Sequence, residues 1–67
     1  MSEYTLEELE AAHKALSSSL HKISKARETL MSKSSPPKSQ ITLAERNQKA
    51  LTIALNLITR EMEKHNR

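Results

Sequence analysis

Apolar residues recur along the first half of the chain at alternating steps of three and four residues. The positions of this seam, with two tolerated polar residues, are Leu6, Leu9, His13, Leu16, Leu20, Ile23, Arg27 and Leu30. Such spacing is the heptad pattern of a helix that packs along one stripe against a partner helix. The segment Thr5-Leu-Glu-Glu8 has the form of a capping box at the start of the seam. Together they predict a helix over about residues 5–32.

A second amphipathic helix is predicted from about residue 42 to residue 65, and Thr42-Leu-Ala-Glu45 repeats the capping-box form at its start. Its apolar residues occupy two neighbouring stripes. Leu51, Leu55, Ile58 and Met62 form the first stripe, and Ala50, Ala54 and Leu57 form the second, with Ile53 further round the helix. This arc is wider than one partner helix covers, so it predicts a second contact.

Residues 33–41 lie between the predicted helices and have the composition of a turn. Ser34-Ser35-Pro36-Pro37 lacks two backbone donors and cannot continue a helix. Reversal of the chain here predicts an all-α fold, an antiparallel two-helix hairpin that forms a single domain over residues 1–67. We expect two such hairpins to dimerise into a four-helix bundle with coiled-coil packing.

The predicted hairpin can be aligned so that most layers of its seam are apolar. In this register Arg27 faces Asn47, and His13 faces Glu61. A metal-binding or catalytic His13 would need several convergent partner groups, and the sequence offers one. We therefore interpret His13 and Glu61 as a polar layer within the seam.

The composition favours self-association. The chain has 67 residues, no Cys and no Gly, and Tyr4 is its single aromatic residue. A chain of this length is near the lower limit for folding alone, and without disulfides or thiolate metal sites oligomerisation is the remaining way to enlarge the core. The candidate dimer interface combines apolar residues of the second helix with small residues beside the first seam. These are Ala50, Ile53, Leu57, Ala12, Ala15, Ser19 and Ala26.

Positive charge is concentrated around the turn. The formal net charge is +3, and residues 22–49 hold seven Lys or Arg against two Glu, whereas residues 1–12 hold four Glu and no basic residue. The candidate basic patch consists of Lys22, Lys25, Arg27, Lys33, Lys38, Arg46 and Lys49. Such a patch can bind nucleic-acid phosphates, or it can lie beside the acidic end of a second copy. Because no aromatic residues interleave it, we favour a protein-interaction module, and a nucleic-acid-associated accessory protein is the alternative.

The segment Ser39-Gln40-Ile41-Thr42-Leu43, followed by Lys49-Ala50-Leu51 and Ile58, resembles the second helix of short bacterial two-helix proteins of unassigned function. The likeness covers about the C-terminal half of the chain. It implies a bacterial cytosolic protein and no particular activity. The plan of two helices joined by a Pro-containing turn is also similar in architecture to type III secretion needle subunits, although their aromatic-rich N-terminal segment is missing.

We expect a cytoplasmic protein that is not an enzyme. The sequence contains no recognisable nucleophile–base pair, carboxylate cluster or phosphate-binding loop. Its most apolar stretch, residues 50–58, is interrupted by Thr52 and Asn56 and is too short to cross a bilayer. We therefore expect no cofactor, metal, membrane or small-molecule substrate. The expected partners are a second copy of the chain and another protein.

Overall fold

The computed structural model describes residues 3–65, in which two α-helices pack against each other. Helix α1 spans Leu6–Met31 and helix α2 spans Lys38–His65. No strand occurs within the described residues. The predicted all-α class and the packing of one helix on the other are thereby confirmed.

Helix α1 begins with the capping box expected from the sequence. The Thr5 hydroxyl oxygen accepts a hydrogen bond from the Glu8 amide at 3.1 Å, and the Thr5 amide donates to Glu8 Oε1 at 3.0 Å. Glu7 and Glu8 lie in the first turn. Their negative charges are favourable there because the unpaired amides make the N-terminus of a helix electropositive.

Helix α2 begins at Lys38, four residues before the expected start at residue 42. The carbonyl of Pro37 accepts a hydrogen bond from the Ile41 amide at 3.0 Å, and this bond opens the helix. Proline suits this place because the first residues of a helix have no intrahelical acceptor for their amides. Thr42 therefore lies inside α2 and does not cap it.

The molecule is a thin rod. It measures 50 × 15 × 15 Å, and its radius of gyration is 15.1 Å, compared with about 11 Å for a compact domain of this length. Leu9, which is 5% exposed, is the one buried side chain among residues 3–65. The other positions of the predicted α1 seam are half-buried.

The side of α2 that meets α1 also follows steps of three and four residues. Its half-buried positions include Ile41, Ala44, Gln48, Leu51, Leu55, Ile58 and Met62. The last four apolar positions of this set form the first stripe predicted for α2. One stripe from each helix is thus used in the hairpin. In the second stripe predicted for α2, Ala54 is half-buried, whereas Ala50 and Leu57 are exposed.

Candidate interaction site

Two hydrogen bonds between side chains join the helices on one side of the rod. Gln48 Nε2 donates to the Ser24 hydroxyl at 2.9 Å, and Arg27 Nη2 donates to Glu45 Oε2 at 3.0 Å as part of a salt bridge. They lie along an open groove between α1 and α2. The groove is lined by Leu20, Ser24, Arg27, Glu45, Gln48, Lys49, Thr52 and Ile53. We call this side the polar face.

The polar partners on α2 lie two residues nearer to the turn than the expected register placed them. Arg27, expected opposite Asn47, bonds to Glu45, and Asn47 is exposed. A carboxylate attracts a guanidinium more strongly than an amide does, and the flexible Arg side chain can reach it. The bond between Ser24 and Gln48 was not anticipated, although Gln48 falls on a three-four step between Ala44 and Leu51.

The predicted polar layer is half-buried at both of its positions, His13 and Glu61. Glu61 Oε1 accepts a hydrogen bond from Lys64 Nζ, one turn further along α2, at 3.1 Å. The pairing of His13 with Glu61 across the seam stays a prediction. Within residues 3–65, no three His, Asp or Glu side chains are grouped as metal ligands.

Apolar side chains are exposed at regular intervals on α2. Leu43 is 59% exposed and Leu57 is 56% exposed, and Ala50 between them is exposed as well. They are seven residues apart, which is close to two helical turns, so they lie on one line along the helix. Leu43 was not part of the predicted interface. Its spacing of seven residues from Ala50 is the feature of the sequence that places it on this line.

Small residues of α1 lie on the same side of the rod as this line. Ala15, Ser19 and Ala26 are exposed and Ala12 is half-buried. At about 100° per residue, the small residues of α1 lie roughly 90° from the seam of α1, and the line of Leu43, Ala50 and Leu57 lies roughly 130° from the seam of α2. Because the helices run in opposite directions, these offsets point to the same side, opposite the polar face. We call this side the apolar face: Ala12, Ala15, Ser19, Ala26, Leu43, Ala50 and Leu57.

Ile53 has a different position from its predicted companions Ala50 and Leu57. It is 51% exposed and borders the groove of the polar face. On the helix it lies further round than the line of Ala50 and Leu57, as its place in the sequence indicated. By helix geometry, six of the seven residues predicted for the interface share one side of the rod, and Ile53 lies outside it. That this side is a dimer interface stays a prediction.

The residues of the predicted basic patch extend from the turn, where Lys33 and Lys38 lie, to the middle of the rod, where Lys22 and Lys49 lie. Lys22, Lys25, Lys33, Lys38, Arg46 and Lys49 are exposed. Arg27 is half-buried and its charge is paired with Glu45. The positive surface is therefore formed mainly by the six exposed side chains.

Comparison of the chain with protein-family models, with curated proteins and with solved structures finds no match in any of the three. Within residues 3–65, neither helix combines the length and the apolar character needed to cross a membrane.

Proposed function

We propose that this protein is a self-associating interaction module, in which two hairpins bury their apolar faces against each other and form a four-helix bundle. The observation that supports this is the amount of surface that the single chain exposes. Its accessible surface is 5451 Å², whereas a compact monomer of 7.6 kDa exposes about 4,300 Å². The excess of roughly 1,100 Å² is larger than the roughly 800 Å² that each partner buries in a stable complex.

The hairpin also needs more packing than it obtains from one seam. Helices in water depend mainly on tertiary burial of an amphipathic face, and here Leu9 is the one buried side chain of the described residues. Full burial of one leucine side chain stabilises a protein by about 1.5–3 kcal/mol. Burial of Leu43 or Leu57 in the dimer would contribute less than this, because each side chain is already partly buried in the hairpin. In a symmetric dimer each of these contributions occurs twice. Folding and association are therefore coupled in this proposal.

Sedimentation equilibrium at micromolar concentration tests the proposal. We expect the unaltered chain to be a dimer. Leu57→Asp should raise the dissociation constant by about 100-fold or more, because each dimer would bury two unpaired carboxylates in place of two apolar side chains. The variant should also lose helicity on dilution, as measured by circular dichroism.

Asn56→Asp is the matched control, since Asn56 is an exposed neighbour outside the apolar face and the change adds the same charge. It should leave the dissociation constant within about threefold of the original value, as surface substitutions usually do. A stably folded monomer of the unaltered chain, or equal effects of the two substitutions, would contradict the proposal.

A further inference from the structure

We infer that the second copy packs antiparallel to the first, about a two-fold axis that passes between the two Ala50 residues, so that α2 lies on α2 and the turn of each hairpin lies beside the acidic start of α1 in the other. This inference rests on the proposed self-association and adds its geometry. It rests on two observations, the spacing of the exposed leucines and the distribution of charge between the ends of the rod.

The exposed line on α2 is symmetric about its centre. Leu43 and Leu57 lie seven residues before and after Ala50. A two-fold axis perpendicular to the helix at Ala50 therefore sets Leu43 of one copy against Leu57 of the other, twice. The two Ala50 methyl groups meet at the axis, where small side chains allow the helices to approach closely. A two-fold interface is formed by the same surface of both subunits, so that surface must be complementary to itself, as this line is.

The second observation is the opposite charge of the two ends. The turn end carries exposed Lys33 and Lys38, whereas α1 begins with Glu7 and Glu8 in its first turn. Over residues 22–49 the balance is seven basic residues against two Glu, and residues 1–12 carry four Glu. The two ends of one hairpin are too far apart to neutralise each other, because the rod is 50 Å long and charges in salt are screened beyond about 10 Å.

The antiparallel arrangement brings these opposite ends together. Lys38 precedes Ala50 by twelve residues, so it lies level with Met62 of the second copy. The bonds from Ser24 to Gln48 and from Arg27 to Glu45 set Glu10 of each hairpin at about that same level. The basic turn of one copy then lies beside the acidic segment of the other.

The main alternative uses the same apolar face with the two-fold axis parallel to the helices. In that arrangement α1 of each copy lies on α2 of the other, and both turns are at the same end of the bundle. Two sets of exposed lysines would then lie side by side at one end and repel each other. The two acidic segments would meet at the other end and repel each other as well. The charges at the two ends of the rod therefore favour the antiparallel arrangement.

Single-cysteine variants test the arrangement, since the chain has no Cys of its own. In Ala50→Cys the two thiols should meet at the axis and, with dissolved oxygen as the oxidant, form a disulfide within the dimer. With thiols held together, oxidation should be about tenfold or more faster than in Asn56→Cys, whose thiols meet only by collision. An equimolar mixture of Leu43→Cys and Leu57→Cys should give mainly the mixed disulfide, with little product from either variant alone.

Sedimentation equilibrium on each reduced variant first establishes that it is dimeric. If the unaltered chain is monomeric, the proposed self-association fails, and the arrangement fails with it. If the chain is dimeric but Ala50→Cys oxidises no faster than Asn56→Cys, only the arrangement is overturned. Rapid disulfide formation in a mixture of Ala50→Cys with Ser19→Cys, in a dimer that does not cross-link through Ala50→Cys alone, would assign the alternative axis.

Discussion

The two faces of the hairpin differ in where their side chains find contacts. On the polar face, Ser24 bonds to Gln48 and Arg27 bonds to Glu45, so α1 and α2 are joined within one chain. On the apolar face, Leu43 and Leu57 are more than half exposed. The comparison indicates that the polar face helps to align the two helices of one chain. In the proposed dimer, the apolar face is the contact with a second molecule.

One helix can offer a surface to α1 and a second surface to the proposed partner copy. Helix α2 has 28 residues, and side chains project from all around it. A single neighbouring helix covers only one stripe of this surface. The stripe of Leu51, Leu55 and Ile58 meets α1, and the line of Leu43, Ala50 and Leu57 lies beside it. Because folding and association are coupled in the proposed dimer, substitutions on either side should lower its stability. They should differ in how much of the loss comes from the packing within one chain and how much from the contact between two chains.

The largest effect is expected from a pair of adjacent residues on the two sides of α2. Ile58→Ala removes a half-buried side chain from the seam, and Leu57→Ala removes an exposed one from the apolar face. Ile58→Ala should lower the free energy of unfolding by about 2 kcal/mol, near the low end for buried aliphatic truncations. Leu57→Ala should mainly raise the dimer dissociation constant. Urea unfolding at two protein concentrations and sedimentation distinguish these effects.

At high protein concentration, the Leu57→Ala dimer should retain the helicity of the unaltered chain, whereas Ile58→Ala should not. Equal losses of helicity and of dimer in the two variants would show that the seam and the apolar face do not act separately.

A smaller effect is expected on the polar face from Gln48→Ala, which removes the bond to Ser24. The loss should be about 0.5–1.5 kcal/mol in the free energy of unfolding, the usual contribution of one intramolecular hydrogen bond. Gln40→Ala is the control, because Gln40 is an exposed residue of the same type on the same helix. A cost no greater than that of the control would mean that the Ser24 bond does not stabilise the hairpin in solution.

The smallest effect is expected from the salt bridge of Arg27 with Glu45. Their side chains are 30% and 50% exposed, so solvent and salt screen the pair. A double-mutant cycle with Arg27→Ala and Glu45→Ala should give a coupling of less than about 1 kcal/mol, which decreases as salt is added. A larger coupling that resists salt would place this pair among the main determinants of the helix alignment.

The local features of the chain were largely predictable. The capping box of Thr5 and Glu8 forms as expected, and the predicted seam of α1 is buried or half-buried at every position. The start of α2 could not be predicted from its capping-box signal. Thr42 and Glu45 have the spacing of a capping box, but they lie inside the helix and do not cap it. Pro37 already opens the helix at Lys38.

By itself the sequence determined that there are two helices, a turn at the prolines and a wide apolar arc on α2. These features depend on residues within a few positions of one another, whose spacing and capping groups are read directly from the chain. Only the tertiary structure decided that Arg27 bonds to Glu45 and that Gln48 reaches Ser24. Those outcomes depend on where α2 starts and on how side chains far apart in sequence meet across the seam, which no local pattern specifies.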